Sequence, residues 1–69
     1  MLEKYPDMLK GSQVCEILDV SRSTLYRLAR EGEFGYYQLR GKRLYPKADI
    51  IQYLNRIYQG RVKDIEMVE

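Results

Sequence analysis

The sequence predicts a mainly α fold with one small β-hairpin, on three observations. Two short helical stripes lie either side of a break at Asp19-Val20-Ser21. Between Phe34 and Pro46 the pattern changes to strand-formers, Tyr36, Tyr37, Leu39, Leu44 and Tyr45, flanking Arg40-Gly41-Lys42-Arg43. A third helical stripe, Ile50, Tyr53, Leu54 and Ile57, follows. With 69 residues, a single domain over 1–69 is expected. A core of that size supplies only ~3–5 kcal/mol.

In chain order, no period marks Met1 to Lys10. Tyr5-Pro6-Asp7 reads as a turn or extended segment, because a residue before proline avoids the helical region. Residues 1–8 are expected to be an N-terminal arm, with Met8 and Leu9 available to dock on the core. Ser12 is the expected N-cap of the first helix, in which Val14, Ile17 and Leu18 share one face. Cys15, on the flank of that stripe, reads as a small buried hydrophobe; no histidine is present to activate it.

Ser21 is the expected N-cap of the second helix, accepting from the amide of Ser23 or Thr24. Val20 and Leu25 have the spacing of a hydrophobic staple. This helix should run from about Arg22 to Glu31, with Gly32 as its stop. Leu25, Leu28 and Ala29 then face inward while Ser23, Arg27 and Arg30 face out, with Tyr26 between. Gly41-Lys42 is the expected two-residue turn of the hairpin. Pro46 suits the first position of a third helix, Asp49 its first turn and Gly60 its end. Ile51 and Tyr58 widen the apolar stripe, to cover the arm or to form a self-association surface. The tail from 60 to 69 fits neither period cleanly, and reads as a frayed, flexible extension, an extra helical turn, or a segment that orders against a neighbour. Two helices across a tight turn, then a hairpin, then a helix packed beneath make a winged helix-turn-helix.

Charge points the same way. The net charge is only +2, but Arg22 to Lys47 holds seven basic residues (Arg22, Arg27, Arg30, Arg40, Lys42, Arg43, Lys47) against two acidic ones, Glu31 and Glu33. A basic centre with acidic flanks is the footprint of a polyanion binder. Arginine can read guanine bidentately and also grips phosphate. The expected DNA-binding residues are Ser21, Arg22, Ser23, Thr24, Tyr26, Arg27 and Arg30 on the recognition helix, and Arg40, Gly41, Lys42 and Arg43 on the wing. The plainer alternatives are a solvated helix face and a hairpin whose charges only protect its edges.

With no histidine and one cysteine, zinc fingers and internal disulfides are excluded. No metal cluster, cofactor motif or nucleophile–base pair is evident, so no catalytic residue, cofactor or metal is expected, and an enzyme is not. No signal peptide or long apolar run is evident; the expectation is a cytoplasmic, nucleoid-associated protein with no membrane contact.

The chain resembles the excisionase-like DNA-binding domain family, small winged helix-turn-helix proteins related to the DNA-binding head of MerR regulators. The likeness covers roughly Leu9 to Leu54. It is carried by Val14-Cys15-Glu16-Ile17-Leu18, Val20-Ser21-Arg22-Ser23-Thr24-Leu25-Tyr26-Arg27-Leu28, Gly32, Gly41-Lys42-Arg43-Leu44-Tyr45 and Ala48-Asp49-Ile50. Cys15 stands where the family usually has alanine, and Asp19 where it often has glycine. The resemblance implies that the second helix enters the major groove of double-stranded DNA and that the wing grips flanking DNA. It implies an excisionase, or recombination directionality factor, of a phage or integrative element, bending DNA for an integrase or recombinase with cooperative self-association on DNA. A small transcriptional regulator of a mobile element is the alternative within the class. A protein-interaction module that kept the winged fold is the alternative outside it.

Overall fold

A computed structural model describes residues 2–68, with side chains placed for residues 2–57. The element order is β1 (Met8–Lys10), α1 (Gly11–Leu18), α2 (Arg22–Arg30), β2 (Tyr37–Leu39), β3 (Lys42–Pro46) and α3 (Lys47–Val68). The strands form one antiparallel sheet in the order β1-β3-β2. This is the expected winged helix-turn-helix, with a third strand added to the hairpin.

That added strand lies where the sequence shows no period. Leu9 pairs with Tyr45 across β1 and β3, and both are fully buried. The strand also moves the start of α1. Lys10, the last residue of β1, keeps extended angles (φ −79, ψ 159) and is itself the N-cap, so Ser12 lies inside the helix rather than capping it. The Lys10 amide donates to Gln13 Oε1 at 2.9 Å. A lysine side chain has no acceptor, so the reach back from Gln13 is what ties this helix start.

α1 closes on Asp19, which is left-handed (φ 58, ψ 50), and the Val20 amide donates to the Cys15 carbonyl at 3.1 Å. Left-handed geometry suits glycine and is tolerated by aspartate at some strain. Asp19→Gly should therefore raise stability by up to ~1 kcal/mol, relieved strain exceeding the extra unfolded-state entropy of glycine. A urea denaturation series checks this; a loss of stability would mean that the Asp19 side chain is itself needed at the turn.

α2 starts as expected. Ser21 is extended (φ −78, ψ 165) and its Oγ accepts from the Thr24 amide at 3.3 Å. It ends in a Schellman motif: Gly32 has φ 81, its amide donates to the Ala29 carbonyl, and the Glu33 amide to the Leu28 carbonyl, both at 3.1 Å.

The hairpin turn is Arg40-Gly41, one residue earlier than the expected Gly41-Lys42. Leu39 faces Lys42, and both central residues have positive φ (50 and 79), a type I′ turn. Register decides it. A slip of one residue would move strand residues to the wrong face of the sheet, and Tyr45 is held inward opposite Leu9.

Leu9, Val14, Leu25, Ala29, Phe34, Tyr45, Ile50 and Leu54 form the core, with Ile17, Leu18, Val20, Leu28, Tyr53 and half-buried Cys15 packed against it. Phe34 makes edge-to-face contacts with Tyr45 and Tyr53, at 6.0 and 5.2 Å between ring centroids. Pro46 ends β3, so α3 begins at Lys47 instead. Asp49 lies in its first turn and accepts from the Gly35 amide at 3.2 Å, fixing the loop before β2. Gly60 does not end α3, which runs on to Val68. One interior glycine costs only ~1 kcal/mol of helix propensity, and the residues beyond it are mostly tolerant of helix. The Tyr58 and tail side chains, on which the self-association alternative partly rests, lie outside the described residues.

The arm is tied down. The Lys47 ammonium donates to the carbonyls of Tyr5 (3.0 Å) and Leu2 (3.4 Å) and lies 3.7 Å from Asp7 Oδ1. The Lys47 amide donates to the Asp7 carbonyl at 2.8 Å. The Tyr5 hydroxyl donates to Glu16 Oε1 at 2.9 Å, and this bond raises the tyrosine's pKa. Among the described residues, no helix is long and apolar enough to cross a membrane.

Candidate nucleic-acid interface

The outward side of α2 is one continuous stripe. Ser23, Tyr26, Arg27 and Arg30 follow the i, i+3, i+4, i+7 spacing of a single helix face, and all four are exposed. The opposite face carries buried Leu25 and Ala29 with half-buried Leu28. Burying that aliphatic face is what turns the polar stripe outward. Arg27 and Arg30, both in the last turn of α2, complement the negative end of the helix dipole. Among the described residues neither has an ion-pair partner, so both guanidiniums keep their donors for an external acceptor.

At the other end of α2 three hydroxyls meet. Ser21 Oγ lies 3.1 Å from Ser23 Oγ and donates to Thr24 Oγ1 at 3.1 Å. Ser21 and Ser23 are exposed and Thr24 is half-buried. Exposed Arg22 stands beside them. Its pKa is raised, chiefly by the Tyr26 hydroxyl one turn along.

On the wing, Arg40, Gly41 and Lys42 are exposed at the tip. Arg43 is different. It is half-buried, with its guanidinium carbon 4.3 Å from the Tyr36 ring centroid and 4.8 Å from that of Tyr26. The structure thus brings Tyr26 and Arg43 together, joining recognition helix to wing. Its pKa is raised chiefly by the neighbouring Tyr45 hydroxyl, against an opposing cost of burial.

Lys47 and Arg56 are engaged elsewhere. Lys47 belongs to the basic window but holds the arm, with a side chain only 19% exposed. Arg56 donates to Glu33 Oε1 (3.0 Å) and to the Glu33 carbonyl (3.1 Å), so one of the two acids in the window is neutralised from α3. The basic surface is therefore Arg22, Arg27, Arg30, Arg40 and Lys42, with Arg43 behind it. From the sequence Tyr36 reads only as a strand-former; the hairpin segment holds Arg43 with Tyr36, Tyr37 and Tyr45, but which rings meet the guanidinium, Tyr36 and Tyr26 of α2, depends on the fold.

No curated protein and no solved structure matches the chain. Residues 8–58, which span both helices of the turn, the whole sheet and the first half of α3, match the family described as the Helix-turn-helix domain, a DNA-binding family, and the chain belongs to it.

Proposed function

We propose that the protein is a sequence-specific double-stranded DNA-binding protein acting as an excisionase, a recombination directionality factor of a phage or integrative element. The observation that carries the DNA-binding reading is the exposed stripe Ser23, Tyr26, Arg27 and Arg30, whose arginines have no ion-pair partner among the described residues, beside a wing with a basic tip. In this reading α2 lies in the major groove, where Arg27 and Arg30 meet base edges and Ser23 assists. Ser21, Arg22 and Thr24 lie at the helix start, where amides and dipole favour a backbone phosphate. Arg40 and Lys42 reach flanking phosphates, with Gly41 allowing close approach of the turn. The excisionase role is supported by the likeness of the run Val20 to Leu28 and of the wing to excisionase-like domains. Copies on neighbouring repeats would bend DNA so that an integrase can synapse its ends.

A footprint on DNA flanking the gene tests this reading. Protected repeats at one regular spacing beside a recombination site are the expected result. One site overlapping a promoter would make the protein a transcriptional regulator of the element instead. No protection at low salt would leave a protein-interaction module with a winged fold.

A further inference from the structure

The wing and α2 are separate elements, yet in this reading they must grip one duplex at a fixed relative angle. Covalent geometry does not fix that angle, because the connection from Glu31 to Tyr36 carries no regular secondary structure beyond its turn. Arg43 sits at the junction. It is two residues from Tyr45 on β3, so it shares the inward side of the strand, toward the helices, while exposed Lys42 takes the other side. The guanidinium meets Tyr26 of α2 at 4.8 Å and Tyr36, just before β2, at 4.3 Å. Tyr36 packs in turn on Tyr45, 5.8 Å between centroids, so the joint rests on the core. Among the described residues no carboxylate pairs with Arg43. A planar guanidinium suits two aromatic neighbours, because it is more weakly hydrated than an ammonium and stacks on ring faces.

We propose that Arg43 is a positioning residue: by engaging Tyr26 and Tyr36 it locks the wing to the recognition helix, and DNA affinity depends on it through that angle rather than through a phosphate contact of its own. This rests on the DNA-binding reading above. Tyr26 then serves as the helix side of the joint and not chiefly as a base reader. Phosphate contact by the wing falls to Arg40 and Lys42.

Affinity of the full chain for mixed-sequence duplex DNA, measured across a salt series, tests the assignment. Lys42→Ala provides the reference for a phosphate contact, and its salt slope should drop by about one. Arg43→Lys keeps the charge but loses the planar group. It should weaken binding roughly tenfold with the slope unchanged, as expected for a lost aromatic contact in a partly buried site. Tyr26→Phe, which keeps the ring face, should lose less affinity than Tyr26→Ala, which removes it. Tyr26→Ala combined with Arg43→Lys should be no weaker than the poorer single variant. In the free protein, the ring resonances of Tyr26 and Tyr36 should both shift in Arg43→Lys. Full affinity in Arg43→Lys, or additive losses in the double variant, would overturn the joint and leave Arg43 as a charge contact. Absence of salt-dependent binding by the parent chain would instead overturn the DNA-binding reading, and the joint's role with it. A thermal melt of Arg43→Lys confirms folding, and Tyr36→Phe against Tyr36→Leu repeats the ring-face comparison at the other side of the joint.

Discussion

Leu25→Ala should cost ~2–5 kcal/mol of folding free energy, the range for removing a fully buried leucine when the surroundings only partly collapse. Leu25 is 0% exposed and lies on the inward face of α2. Its Cδ2 is 3.7 Å from where a side chain on Gly11 would begin, so it packs directly under the start of α1. Gly11 has no side chain with which to fill the space, and Val14 and Ile50 are themselves fully buried in the same core. Against a core contribution of only ~3–5 kcal/mol for a domain of this size, the loss should leave much of the chain unfolded at room temperature. Urea titration followed by circular dichroism measures it, with the slope per molar denaturant expected to stay constant if the unfolded state is unchanged. A change below ~0.5 kcal/mol would place Leu25 at the surface and rotate the stripe Ser23, Tyr26, Arg27 and Arg30 with it.

The phase of α2 was legible because all its determinants are local. The Ser21 cap, the Gly32 stop and the inward Leu25 each depend on residues within one or two turns. The hairpin was legible as an element, since a run of tyrosines and leucines around a glycine admits few other readings. Its turn was not, because Arg40-Gly41 and Gly41-Lys42 both contain a glycine where a two-residue turn accepts one. The choice is made by Tyr45 seating against Leu9, a pairing distant in sequence. The same pairing explains why β1 is not legible in the sequence. Three residues are too short to show alternation, and their strand partner is supplied from the far side of both helices. Charge counting could place Lys47 and Arg43 in a basic window. It could not see that backbone carbonyls of the arm hold the first, or that two tyrosine rings meet the second.

Arg27→Ala should leave folding within ~0.5 kcal/mol of the parent, because an exposed side chain with no ion-pair partner among the described residues contributes little to stability. Under the proposed function its effect falls on recognition. A bidentate arginine–guanine contact is worth ~1–3 kcal/mol, or roughly five- to a hundredfold in affinity. Affinities for the footprinted site and its single-base variants separate the two roles an arginine can play there. If Arg27 reads a base, the variant loses affinity for the native site and becomes indifferent at one position, while other positions keep their preferences. If it grips a phosphate, every sequence weakens by the same factor and the salt slope falls by about one. Arg27→Lys sharpens the distinction. A lysine restores a phosphate contact as a point charge but cannot reproduce the planar fork, so it should rescue the second behaviour and not the first. The helix face favours base reading. Arg27 sits one turn beyond Ser23 and next to Tyr26, in the middle of the exposed stripe, whereas Arg22 lies at the start of α2, closer to where a groove-bound helix meets the backbone.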